Sequence, residues 1–176
     1  MELNDKAIVF LDVDGILTYS GYKNKETDNI DIEKVKILKD ICDESNVDVV
    51  IISSWRGTAD WTPPCYNTLI RVLANAGVNV IGDAPYISDK FVNSKESNRY
   101  TFADLENTKI EHGTGRAAEV EKYLSEHPVK RFVILDDEDH DWADYGYENN
   151  WVSPSWFING LEEKYKIEAL KVLKKT

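Results

Sequence analysis

Three short apolar runs, each closed by polar residues, set the rhythm of the chain. Ala7 to Leu11 ends at Asp12; Val47 to Ile52, interrupted by Asp48, ends at Ser53 and Ser54; Phe132 to Leu135 ends at Asp136 and Asp137. Runs rich in Val and Ile without polar alternation predict strands covered on both faces. Between them the period changes. Ile32, Val35, Leu38 and Ile41 follow Asp31, a candidate N-cap, and predict an amphipathic helix. A second helix is predicted from about Cys65 to Ala76, with Leu69, Val72 and Leu73 inward, Pro63 and Pro64 ahead of it and Gly77 ending it. Val78 to Ile81 predicts another strand, and Arg116 to Ser125 a helix stopping before Pro128. A last helix, from about Leu161, turns Tyr165, Ala169 and Val172 inward and ends in a basic, frayed Lys-Lys-Thr.

Strand and helix thus alternate, which implies a mainly parallel sheet with helices on both faces, a Rossmann-like three-layer α/β/α sandwich. In such a sheet the carboxyl ends of the strands share one edge, where ligands bind. Asp12, Ser53 and Asp136, remote in sequence, are therefore predicted neighbours. The 176 residues, without repeats or a Gly/Ser linker, predict one domain over 1–176, with the polar stretch 86–114 as a small lid or hairpin.

Composition narrows the function. Net charge is −11, from 32 acidic against 21 basic residues, so an extended grip on duplex nucleic acid is disfavoured, whereas one phosphorylated ligand held by a metal and local cations is not. Cys42 and Cys65 fit no metal or disulfide spacing and are read as reduced thiols. The acidic start MELNDK is unlike a signal peptide, and no apolar run is long enough to span a bilayer; a cytoplasmic protein without membrane contact is expected.

Four segments carry candidate chemistry. In AIVFLDVDGIL, Asp12 and Asp14 leave a buried strand together and Gly15 permits a sharp turn; one carboxylate could attack phosphorus while the other protonates the leaving oxygen, though Asp and Gly are also ordinary turn residues. In VVIISSWR, the Ser53 and Ser54 hydroxyls and the Arg56 fork suit phosphate oxygens. In FVILDDEDHD, Asp136 and Asp137 are the candidate hard-oxygen ligands, with Glu138, Asp139 and Asp141 read as a solvated acidic loop. In GTGRAAEV, Arg116 sits at a helix N-terminus, a position unfavourable for a cation unless it faces an anion; Lys95, Arg99 and Lys109 are rival cations.

In this order the four segments resemble the haloacid dehalogenase (HAD) superfamily of aspartate-nucleophile phosphohydrolases, over most of the chain. The resemblance implies that Asp12 is the nucleophile forming an aspartyl-phosphate and Asp14 the general acid/base. It implies that Ser53 and Arg116 bind the phosphoryl group and that Asp136 and Asp137, with Asp12 and the Asp14 backbone carbonyl, hold Mg²⁺. Aspartate rather than threonine at position 14 points to a phosphatase. FLDVDGIL, SSWR, Gly82 to Pro85, Arg116 to Val120, VILDD, Trp151-Val152 and Gly160-Leu161 more closely resemble the HAD domain of Swiss Army Knife RNA-repair proteins. Two departures stand out: the connection from Tyr86 to Thr114 is long, and Gly115 to Ala117 reads GRA where that subgroup has RG.

Only about 16 residues separate Gly15 from the helix at Ile32, too few for a cap domain. An open site can admit the end of a polynucleotide or another bulky substrate. Tyr19, Tyr22, Trp55, Trp61, Trp142, Tyr145 and Tyr147 fall on predicted active-edge loops, where they either stack on a base or pack the loops. The expected function is a Mg²⁺-dependent phosphomonoesterase acting on a nucleotide or nucleic-acid terminal phosphate. A sugar-phosphate phosphatase and a non-catalytic phospholigand-binding module are the alternatives.

Overall fold

A computed structural model describes residues 6–58, 60–92 and 109–174. Its centre is a five-stranded, wholly parallel sheet in the order β3-β2-β1-β6-β7. The strands are β1 (Ala7–Leu11), β2 (Val47–Ile51), β3 (Val80–Asp83), β6 (Phe132–Leu135) and β7 (Trp151–Val152). A separate antiparallel pair, β4 (Phe91–Val92) and β5 (Lys109–Ile110), flanks residues 93–108. The lid or hairpin expected over 86–114 therefore lies largely outside the described residues.

The apolar runs are continuous because both faces are covered. Ala7, Val9 and Leu11 of β1 join one core with α1 (Ile32–Ser45), α2 (Pro64–Asn75) and α4 (Glu163–Lys174). Ile8 and Phe10 join another with Ala117, Val120 and Tyr123 of α3 (Gly115–Glu126). Adjacent strand residues point to opposite faces, so this split of β1 is the three-layer architecture itself. Among the described residues no helix is long and apolar enough to cross a membrane. Both cysteines are free thiols.

The local signals mostly act as the pattern predicts. Asp31 caps α1, its carboxylate accepting the Glu33 N–H at 2.9 Å and the Tyr19 hydroxyl at 2.8 Å, so that the start of α1 is tied to the loop after β1. Three details differ. β3 begins two residues later than predicted, because the exit from α2 uses Gly77 and Val78: their amides donate to Ala74 and Leu73. Ile32, in the first turn of α1, is 39% exposed rather than inward. In α4, Ala169, Leu170 and Leu173 form the buried face, with Tyr165 and Val172 only partly covered. β7 has no apolar run to announce it: two residues beside β6 suffice once the sheet's other strands are in place.

Strand order positions the chemistry. The chain leaves β1 for β2 and β3 on one side and returns to β6 on the other, so the switch in direction falls between the carboxyl ends of β1 and β6, where crevices open in such sheets. Leu11 is in register with Ile51 and Leu135, and the Asp12 N–H donates to the Leu135 carbonyl at 2.9 Å.

Candidate active site

Asp12 and Asp136 are the first residues beyond neighbouring strands and are almost wholly buried. With the half-buried Asp137 they form a cluster in which one carboxylate oxygen from each lies within 4.8 Å of the others. Arg116, at the start of α3, spans two of them: its Nη1 lies 2.8 Å from Asp136 Oδ2 and 3.2 Å from Asp12 Oδ2. A cation at a helix N-terminus opposes the dipole, and here two buried carboxylates offset that cost. Burial works against the Arg116 charge, but Asp12 and Asp136 outweigh it and hold the guanidinium protonated well above its usual range.

One guanidinium does not neutralise three carboxyls. Burial, then the Asp136 carboxylate, pushes Asp12 above the ordinary carboxylate range, against the pull of Arg116, the Val13 amide and the Ser53 hydroxyl. Asp136 goes the other way: burial opposes its ionisation, but His140 and Arg116 hold it below the usual value. Asp137 is pushed up to about 6 by burial and by the neighbouring Asp136 and Glu138, with the backbone amides of Asp137 and Trp156 partly offsetting them. Such a set of hard oxygen donors, short of positive charge, suits a divalent cation such as Mg²⁺.

Asp14 faces the same cavity in a different setting. Its Oδ1 accepts the Thr18 hydroxyl at 2.8 Å and its Oδ2 the Trp55 indole N–H at 3.0 Å. The loop between them turns at Gly15, with φ +77°; a Cβ at that position would fall on the Asp137 side chain, so glycine lets the two acidic loops meet.

A cavity of about 510 Å³ is lined by Asp12, Asp14, Ser54, Arg116, Asp137 and Glu138, with Trp156 and Phe157 at its side. Thus the structure brings together most of the residues singled out in sequence. Ser53 is fully buried beside Asp12, and its Oγ accepts the Trp55 N–H at 3.3 Å. Arg56 is placed differently: it is buried, pairs through Nη2 with Glu119 Oε2, and lies in a smaller adjoining cavity of about 150 Å³ that Ser54, Arg116 and His140 also line. Lys95 and Arg99 lie outside the described residues, as does the side chain of Lys109. A cleft of about 410 Å³ between α1 and α2 contains none of the carboxylates of the site.

The aromatic residues divide. Trp55 belongs to the site through Asp14. Trp142 is buried, its indole N–H donating to the Glu138 carbonyl at 3.1 Å, and so packs the loop after β6 rather than lining it. Tyr147 stands edge-on to Phe132, at the amino end of β6, and Tyr145 stacks on His112. Sequence reasoning missed His140, 3.6 Å from Asp136, although its place four residues beyond that aspartate was a usable signal. It also missed Glu119, one turn beyond Arg116; the Trp-rich stretch 142–157, readable in sequence as either a specificity loop or core, supplies the rim residues Trp156 and Phe157.

Comparison with known proteins bears on the fold and the family. The family model described as the HAD domain in Swiss Army Knife RNA repair proteins matches residues 8–165. Among solved structures the chain is similar in fold to a Mesorhizobium loti protein designated a HAD-like phosphatase. The two are 12% identical with a TM-score of 0.50, over 98% of this chain and 87% of that one. No curated protein matches.

Proposed function

Since the chain belongs to the family of HAD domains found in Swiss Army Knife RNA repair proteins, we propose that it is a phosphatase that removes a terminal phosphate from a nucleotide or polynucleotide end. The observation that carries this reading is the convergence of Asp12, Asp14, Ser54 and Arg116 on one open cavity at the β1/β6 switch point, with Asp14 set apart from the buried cluster by its own two hydrogen bonds.

In the proposed reaction a carboxylate oxygen of Asp12 attacks phosphorus and the bond to the leaving oxygen breaks. Protonated Asp14 gives its proton to that oxygen. Asp14, now a carboxylate, takes a proton from water as the water oxygen attacks the aspartyl-phosphate, releasing inorganic phosphate and restoring Asp12. Arg116 and the exposed Ser54 hold the equatorial oxygens, while Ser53, buried beside Asp12, hydrogen-bonds the nucleophilic carboxylate. Asp12, Asp136 and Asp137, with the Asp14 backbone carbonyl, are the proposed ligands of Mg²⁺, which when bound offsets the repulsion between Asp12 and a phosphate dianion.

The hydrogen bonds of Asp14 suit a group that must gain and lose a proton. The Trp55 indole can only donate, so it fixes one oxygen as an acceptor in both states. The Thr18 hydroxyl can reverse: it donates to ionised Asp14, or accepts from protonated Asp14 while turning its own hydrogen toward the Val13 carbonyl at 3.5 Å. The test is phosphate release, with and without Mg²⁺, from mononucleotides, end-phosphorylated oligonucleotides and ribose 5-phosphate. Release that requires Mg²⁺, favours the nucleotides and disappears in Asp12→Asn is the expected result. Unchanged release by Asp12→Asn would overturn the assignment.

A further inference from the structure

The rim of the site holds an unusual residue. Phe157 is 83% exposed, yet it lines the same cavity as Asp12, Asp14 and Arg116, next to Trp156. A single exposed apolar side chain needs no explanation. Two adjacent aromatics on the wall of an otherwise polar cavity do.

The segment presenting them is tightly tied. Ser155 bridges to Ile158 and Gly160, and its Oγ accepts the Phe157 N–H at 3.2 Å. The Trp156 carbonyl accepts the Ser20 N–H at 2.8 Å, and the Leu161 N–H donates to the Ile16 carbonyl at 2.9 Å. At Gly160, φ +57°, a Cβ would stand 2.8 Å from the Ile16 carbonyl oxygen, so the turn presses directly on the loop that carries Asp14. The Trp156 amide also acts on Asp137. The backbone that carries the aromatic pair is therefore tied to both acidic loops.

Resting on the phosphatase reading, we infer that Trp156 and Phe157 form a stacking platform for the nucleobase of the substrate, with Phe157 the face that the base covers. A cavity of about 510 Å³ is in the size range of small-ligand sites. Asp12 and Arg116 line the same cavity as the two aromatics, so one ligand can place its phosphate on the first pair and its base on the second. The charge balance favours the same arrangement. At a net −11, the chain carries no net positive charge to draw a polyanion, whereas stacking draws affinity from the uncharged faces of the bases and tolerates any sequence.

The experiment compares adenosine 3′- and 5′-monophosphate with ribose 5-phosphate, which carries the phosphate without the base, on wild type, Phe157→Ala, Phe157→Leu and Phe157→Trp. Loss of one stacked base is worth about 5- to 150-fold in affinity. The Ala and Leu variants are expected to raise KM for the preferred adenosine monophosphate by a factor in that range, with kcat and all ribose 5-phosphate parameters unchanged, and Phe157→Trp to restore the wild-type value. Equal effects on nucleotide and sugar phosphate, or none on either, would overturn the platform while leaving the phosphatase standing. If no compound is turned over, the phosphatase reading fails, and calorimetric binding of the same compounds still decides. Base-dependent affinity lost in Phe157→Ala supports the platform; affinity indifferent to base or variant refutes it.

Discussion

Glu119→Gln tests what Arg56 does. The two side chains are 5% and 3% exposed, and their ion pair links the loop after β2 to α3, one turn beyond Arg116. Glu119 also accepts the Ile87 N–H at 2.8 Å, so it joins three segments around the site. The Gln variant keeps an acceptor for Ile87 but leaves the guanidinium buried without a counter-charge, as Arg56→Met leaves the carboxylate. Breaking a pair this deep costs about 3–5 kcal/mol, and at about 2–4 °C per kcal/mol for a chain of this size Tm falls by roughly 6–20 °C. Removing both charges in Arg56→Met/Glu119→Gln should recover much of the loss, a coupling of about 2 kcal/mol or more. The assay is thermal and urea unfolding by circular dichroism, with KM measured on the same four proteins. If Arg56 acts through Glu119, the two single variants shift KM alike. A Glu119→Gln protein within about 0.5 kcal/mol of wild type, or a double variant showing the simple sum, would refute the brace. A KM raised by Arg56→Met alone would instead return Arg56 to direct phosphate contact.

Three further outcomes are expected. Trp55→Phe removes the donor that fixes Asp14 and should lower kcat about 10-fold or more with little change in KM or Tm, a loss of ~1.4 kcal/mol at the transition state; an unchanged kcat would remove Trp55 from the site. Gly15→Ala places a Cβ against Asp137 in a left-handed conformation, which costs about 1–2 kcal/mol in backbone strain, and should weaken Mg²⁺ binding in a calorimetric titration by more than the strain alone explains; wild-type Mg²⁺ affinity would contradict the closeness of the two loops. Asp137, raised to about 6, stabilises the metal-free fold fully below its unfolded value of 3.8 and loses that contribution as pH rises through 6; Asp12, also raised, acts in the same sense. Because a cation needs these carboxylates deprotonated, the Tm gain on adding Mg²⁺ should widen between about pH 5 and pH 7, and a constant gain would refute the assignment.

The apolar runs made the fold legible because strands covered on both faces require them, and the residues ending those runs made the carboxylate cluster legible because a parallel sheet brings its carboxyl ends to one edge. Asp12 beside Asp136 follows from that rule and the register of Leu11 with Leu135. Arg56 shows where the rule stops. Nothing at positions 53 to 56 tells that α3 will bring a buried Glu119 within reach of the guanidinium. Strand β7 is short enough to carry no periodic signal, and the two-residue shift of β3 depends on how α2 ends. Trp142 and Phe157 form an opposed pair: both lie in aromatic-rich loops near the acidic segments, yet one is 1% exposed and the other 83%. Sequence composition cannot separate a loop's anchor from its rim, since that depends on which side chain finds a carbonyl under the loop, as Trp142 finds that of Glu138.

The excess of acid acquires a local meaning at the site. Arg116 is shared by Asp12 and Asp136, so positive charge at the switch point is already divided before a phosphate arrives. Asp137 and Glu138 add negative charge to the same wall. An incoming dianion therefore meets a field that repels it unless a further cation sits among the carboxylates, and uncharged groups can add affinity for the remainder of a substrate without adding to that field. The tied turn at 155–160 supplies such groups beside the acidic loops. On this account, raising the ionic strength should weaken capture of the phosphate at Arg116 and the metal far more than stacking at Phe157, because screening acts on charges and leaves dispersion contacts unaltered.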